Sequence, residues 1–225
     1  LQSPQAELGA SFYGSPNMRT QRTRPIMWAY RDLPVRPKQT EVRYILHAGS
    51  YKTWTAYRPW IYETSDEYVH GLKLLILACH GLENTKLIIR IRSLWLESES
   101  SLEALKKLLP ESDCYEIKSS GTFLDDLSRA DLLVSFSSTT IEEALQARRP
   151  VLLWGGSLRY KHFTARESAP KVHDRSAVYA PSTKKELAPL LKAILDVHAG
   201  DHLKDSELKN YVWPENFPGL DDLLL

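Results

Sequence analysis

The sequence predicts an α/β chain, an open parallel sheet of about six strands with helices on both faces and an extended N-terminal segment before it. Three observations predict it. Strand-like and helix-like stretches alternate along the chain from Glu41 onward. Leu132-Leu-Val134 and Val151-Leu-Leu153 are continuous apolar runs, as interior parallel strands are, rather than the apolar–polar alternation of a half-exposed strand. Between those two runs lies one amphipathic helix, so the pair reads as a strand–helix–strand crossover. Right-handed crossovers then cover both faces of the sheet and leave ligands the region outside the strands' carboxyl ends.

Each element follows in order. Residues 1–40 are rich in proline and arginine, as in Tyr13-Gly-Ser-Pro16, Arg22-Thr-Arg-Pro25 and Leu33-Pro-Val-Arg-Pro37, and read as a solvated linker. The chain does not begin with methionine, and this opening reads like the middle of a longer protein. Residues 41–200 form the sheet domain. Strands are expected at Tyr44–His47, Lys86–Ile91, Tyr115–Ile117, Leu132–Val134, Val151–Leu153 and Ala177–Tyr179. Helices are expected at Ser65–His80, Ser101–Leu109, Phe123–Arg129 and Thr183–His198, besides the one after Thr139. Residues 201–225 make a helical tail. No repeat of fixed period is visible.

The turn from Ser135 to Thr140 sits at a strand's carboxyl end and a helix's amino end, where unpaired N–H groups and the helix dipole favour an anion. Capping accounts for part of it. With Thr139 as N-cap and Glu142 as its reciprocal partner, Glu143 is left to accept hydrogen bonds from ligand hydroxyls; with Thr140 as the cap, the two carboxylates exchange roles. Four consecutive hydroxyl residues, Ser137 to Thr140, exceed what a cap needs.

The run Ser137-Ser-Thr-Thr-Ile-Glu-Glu-Ala144 resembles the donor-nucleotide motif of GT-B glycosyltransferases and of the related UDP-N-acetylglucosamine 2-epimerases, in which Ser-Gly-Gly-x-x-Glu-Glu-Ala occupies such a turn. Ser137 matches the motif serine and Glu143 its second glutamate. Ser138 and Thr139 replace the two glycines, as in the hydroxyl-rich variant of bacterial surface-polysaccharide transferases. The resemblance implies a Rossmann-like donor domain in which Ser137, Ser138, Thr139 and Thr140 hold the donor phosphate and Glu143 the ribose. It also implies that the loop Ser119–Phe123 cups the base, with Phe123 either stacking there or serving as a staple for the next helix.

Other strand ends add candidates. Gly49 either lets backbone approach a ligand or simply turns the chain. Arg90 and Arg92 share one face of their strand, placed for a bidentate clamp on the phosphate or for a surface ion pair. The stretch Gly155-Gly-Ser-Leu-Arg-Tyr-Lys-His162 has the composition of a mobile loop, and Arg159, Tyr160 and His162 are candidates for touching the transferred sugar or its acceptor. No zinc spacing, serine-hydrolase elbow or phosphate-loop lysine motif is present, and Glu63 and Asp66 read as a helix start rather than metal ligands.

Composition narrows the classes. With 225 residues, 43% of them hydrophobic, the chain can bury a real core. A formal net charge of +1 offers no global field for nucleic acid. Cys79 and Cys114 read as buried free thiols of a reducing compartment. No apolar run approaches the roughly 18 residues that span a bilayer, so a cytoplasmic place, or a peripheral one at the inner membrane face, is expected.

The resulting expectation is the donor half of a GT-B transferase for surface polysaccharide such as O-antigen or capsule. It uses a UDP- or CMP-linked sugar and no further cofactor. Its acceptor is a glycan or a lipid-linked glycan, and the acceptor domain lies N-terminal to this chain. The alternatives are an epimerase-like nucleotide-sugar enzyme and a non-catalytic scaffolding module, which would bind no nucleotide.

Overall fold

The computed structural model describes residues 1–25, 33, 41–49, 63–91, 99–136, 138–158, 163–214, 216–219 and 222. Six strands, β1 (Arg43–Gly49), β2 (Thr85–Ile91), β3 (Tyr115–Lys118), β4 (Leu132–Ser135), β5 (Val151–Leu153) and β6 (Val178–Tyr179), form one sheet. The order is β3-β2-β1-β4-β5-β6, and every pairing is parallel. This is the doubly wound order, whose direction of winding reverses between β1 and β4.

Side-chain alternation along the strands divides the core into two layers. Ile45, Leu87, Ile89, Leu132, Val134 and Leu152 point to one layer, where they meet α2 (Ser65–His80), α3 (Glu99–Leu108) and α6 (Leu187–His198). Leu46, Ile88, Leu133, Val151 and Val178 point to the other, against α4 (Phe123–Arg129), α5 (Thr140–Gln146) and the C-terminal tail. All of these strand residues are fully buried, which is why the sequence reads there as unbroken apolar runs.

Helix starts follow from local chemistry. Thr64 and Glu67 form a reciprocal capping box at the start of α2, and Tyr68, Leu72, Leu75, Ile76 and Cys79 make its buried stripe. Thr122 caps α4 by accepting from Asp125 N–H. The last helix opens on a 3-10 turn at Lys184–Glu186 before α6 proper. Cys79 and Cys114 are both free and buried, and burial raises the Cys79 pKa.

The N-terminal segment is not solvated throughout. Pro4–Tyr13 is a helix, α1, with Ser3 as N-cap and proline at its first position. It docks on the body through Ser3 Oγ to Glu142, Gln5 Nε2 to Asn210 O, and Thr164 N–H to Gln5 Oε1. Arg22 then lies over the Trp213 ring, 4.6 Å from its centroid. Proline and arginine content alone did not report these contacts. Among its described residues the C-terminal tail holds the short helix α7 (Asp205–Leu208), with Tyr211, Val212 and Trp213 buried after it.

The amino edge of the sheet is closed by buried polar groups. Tyr179 Oη accepts from Ser176 N–H and lies 3.0 Å from His198 Nε2. Burial lowers the His198 pKa to about 4, so the neutral imidazole accepts the phenolic hydrogen bond. Beside it Arg175 forks onto both Glu207 oxygens, with side chains only 8% and 9% exposed. These groups lie at the amino ends of the strands, opposite the Ser135–Thr140 turn.

Candidate functional site

The reversal point between β1 and β4 fixes where to look, because the two strands pair side by side while the connections leaving them go to opposite layers, the arrangement in which an open sheet leaves a crevice at its carboxyl ends. One buried hydroxyl joins the two strand ends. Ser135 Oγ, at the end of β4, donates to Ala48 O near the end of β1 at 2.8 Å, and it lies 3.5 Å from Thr140 Oγ1. Thr140 therefore faces the strand ends, Ser138 is half-buried, and Thr139 is exposed. The structure brings these three together at the crevice, with Glu143 half-buried on the first turn of α5.

The cap differs from both arrangements read from sequence. Thr139 is already helical (φ −60°, ψ −17°) and makes no side-chain cap bond. Ser138 Oγ instead accepts from Thr140 N–H at 3.3 Å, and Ser138 O accepts from Ile141 N–H. Glu142 closes no capping box; its carboxylate accepts from Ser3 Oγ on the N-terminal segment. α5 begins at Thr140 with Thr139 at its N-cap position, as the first arrangement has it, but the side-chain bond comes from Ser138 rather than from Thr139.

The β1 side of the crevice carries His47, Gly49 and Tyr68. Gly49 is glycine for a reason internal to the fold: a Cβ there would lie 2.7 Å from His47 Cε1 and 2.9 Å from the Tyr68 ring. His47 is 5% exposed, its ring centroid is 5.9 Å from that of Tyr68, and its Nδ1 has no hydrogen-bond partner among the described residues. Burial lowers its pKa from 6.5 to about 4, so the imidazole is neutral at pH 7. A histidine inside the apolar run Tyr44–Ala48 was the signal available in the sequence.

The β5 side is built from packed glycines. Trp154, Gly155, Gly156 and Ser157 are all buried, so the opening of the stretch read as a mobile loop is an anchored one. Trp154 Nε1 donates to Gly71 O at 2.9 Å, and Gly156 N–H donates to Glu63 Oε1 at 2.6 Å. A Cβ on Gly71 would meet Gly156 N at 2.6 Å, and a Cβ on Gly156 would be driven into the Glu67 carbonyl. Only hydrogens at both positions let this strand exit lie against the first turns of α2.

Two further candidates serve the fold. Arg90 makes the ion pair rather than standing open to the crevice: Nη1 binds Asp126 Oδ2 at 2.6 Å and Ser120 O at 3.1 Å, and Nη2 binds Gly121 O. Lys118 adds a second cation to the same buried carboxylate. Phe123 occupies the first turn of α4 and packs on the core layer of Leu127 and Ala130. Ser137, Arg92, Arg159, Tyr160 and His162 lie outside the described residues. Among those described, no cluster of histidine, cysteine, aspartate and glutamate is arranged to hold a metal, and no helix is long and apolar enough to cross a membrane.

Comparison with known proteins places the fold. No protein-family model matches the chain, and no curated protein matches it in sequence. Among solved structures it is similar to a glycosyltransferase from Rickettsia africae, with a TM-score of 0.54 and 11% identity over 93% of this chain and 56% of that one. It is equally similar, at 0.54 and 9% identity, to the structure of accessory secretory proteins 1, 2 and 3 of Streptococcus pneumoniae, over 91% of this chain and 37% of that one. A UDP-GlcNAc 2-epimerase from Neisseria meningitidis bound to UDP-GlcNAc aligns more loosely, at 0.44 and 14% identity over 76% of this chain and 42% of that one. The chain thus spans about half, or less, of the length of the structures it matches. The likeness is one of fold, and the fold is the one the Ser137–Ala144 resemblance led us to expect.

Proposed function

We propose that the crevice binds the nucleotide of a UDP- or CMP-linked sugar, and that the chain is the donor-binding part of a glycosyltransferase of surface-polysaccharide synthesis. One observation carries the reading. The hydroxyl-rich turn that resembles a donor-phosphate motif stands at the β1–β4 reversal, the place where an open parallel sheet binds its ligand. In this reading the hydroxyls of Ser138, Thr139 and Thr140 hydrogen-bond the phosphate oxygens, and Glu143 accepts from the ribose hydroxyls. Sugar transfer develops negative charge on the departing phosphate, and fixed hydroxyl and N–H dipoles at that oxygen lower the barrier without reorganising. Activation of the acceptor hydroxyl is the task of an acceptor-binding half, which completes the site across a cleft.

Isothermal calorimetry with UDP, CMP, GDP and CDP tests this. Binding of UDP or CMP is expected. Ser138→Ala and Glu143→Gln should each weaken it by about 1–3 kcal/mol, the cost of a lost hydrogen bond to a charged or polar partner. A wild-type chain that binds none of the four, or variants that stay folded with unchanged affinity, would overturn the assignment.

A further inference from the structure

We infer that Glu63 is a positioning residue: it clamps the exit of β5 against the exit of β4 and so sets the phosphate turn for its ligand. The inference rests on the donor-site reading above. Its physical basis is a three-way junction. The Glu63 carboxylate and the Phe136 ring crowd the same face of Gly155, since a single Cβ on it would lie 2.7 Å from Glu63 Oε1 and 2.7 Å from the Phe136 ring. The next residue fixes the carboxylate, Gly156 N–H donating to Glu63 Oε1 at 2.6 Å. Phe136 follows directly on β4 and leads into Ser138 and Thr140, while Glu63 stands just before the Thr64 cap of α2. One acidic side chain, 5% exposed, therefore holds together the start of α2, the exit of β5 and the ring at the base of the turn.

A carboxylate is costly to bury, and an apolar residue would fill the same volume more cheaply. What the carboxylate adds is direction. Its short bond to the Gly156 amide fixes the height of the Gly155 backbone, and the Phe136 ring rests on that backbone. Phosphate binding depends on such placement, because a hydroxyl displaced by an ångström no longer meets its oxygen.

The test compares Glu63→Ala, Glu63→Gln and Gly155→Ala with the wild-type chain, by hydrogen–deuterium exchange and by UDP and CMP calorimetry. Glu63→Gln keeps an acceptor for the Gly156 amide and should retain both exchange pattern and affinity. Glu63→Ala should speed amide exchange over residues 136–140 as well as 155–158 and weaken nucleotide binding about tenfold or more. Gly155→Ala, whose methyl group would press on both the Phe136 ring and the Glu63 carboxylate, should speed exchange over the same two stretches and weaken binding. Unchanged exchange at 136–140 in Glu63→Ala would overturn the inference. So would lost affinity without faster exchange, since Glu63 would then act on the nucleotide directly. If the wild-type chain binds neither UDP nor CMP, the donor-site reading fails, and the exchange comparison still decides whether Glu63 couples the two strand exits. Should Glu63→Ala not fold, Glu63→Leu, which fills the volume but offers the Gly156 amide no acceptor, takes its place with the same expectations.

Discussion

At the scale of single residues, the buried histidines make the stability of the fold depend on pH. His47 and His198 are neutral in the folded chain, each with its pKa lowered by burial to about 4. In the unfolded chain each titrates near its ordinary 6.5. Above that pH neither state binds the proton and stability is unaffected. As pH falls from 6.5 toward 4 only the unfolded state gains protons, so stability declines across that window and levels off below it. Each fully buried imidazole contributes a loss on the order of 3 kcal/mol at its end. Urea melts at pH 7, 5.5 and 4.5 should show the decline, and His47→Gln should flatten part of it; an unaltered pH slope in that variant would mean that His47 is protonated in the fold or solvated. The residue level is also where the sequence said least. Hydroxyl turn and glutamates were legible as a motif, because they are neighbours in the chain. Beside the nearby His47 ring, a tyrosine nineteen positions away on α2 crowds Gly49, and the partner of Arg90 is an aspartate on α4. Nothing local encodes those distant contacts.

Elements were far more legible, because an interior parallel strand needs apolar side chains on both faces and a surface helix needs them on one. All six strands and the helices from α2 to α6 stand where those patterns put them, within a few residues. What escaped was everything decided by contact between elements: α1 inside a proline-rich stretch, the cap bond made by Ser138 rather than Thr139 at the start of α5, and the packed rather than mobile opening after β5. Gly156 makes the last of these testable. Gly156→Ala drives a methyl group into the Glu67 backbone carbonyl, which no side-chain rotation relieves. The loss should be about 1–3 kcal/mol or more, as for overpacking, and visible as a lowered melting temperature. Alanine tolerated there without cost would show that β5 exits differently. At the opposite edge the Arg175–Glu207 fork joins the entry of β6 to α7. Arg175→Met should cost about 3–5 kcal/mol by leaving a buried carboxylate unpaired, and adding Glu207→Leu should recover most of it. A double variant no more stable than the single one would argue that the pair is held for more than mutual neutralisation.

On the scale of the whole molecule, the proposed reading makes a donor site at one edge of one sheet half of a transferase. The chain covers 56% of the Rickettsia africae glycosyltransferase it resembles in fold, and the reading gives its hydroxyl turn a phosphate to hold and no group to activate an acceptor. An enzyme of this architecture gains its rate by closing two such surfaces on two substrates, converting a bimolecular encounter into an oriented one. The donor surface keeps its own contacts when the other is missing, because the β1–β4 reversal, the Ser135 bridge and the Glu63 junction are all internal to this sheet. Residues 1–225 by themselves should therefore bind a nucleotide weakly, in the high micromolar range or poorer, at roughly −5 kcal/mol or less favourable, and transfer no sugar. The measurement is calorimetry beside a transfer assay with UDP- and CMP-linked sugars and a glycan acceptor. Sustained transfer by this chain alone would refute the division of labour and make His47 and the Glu63 carboxylate, already at the crevice, the first groups to test as a complete local site.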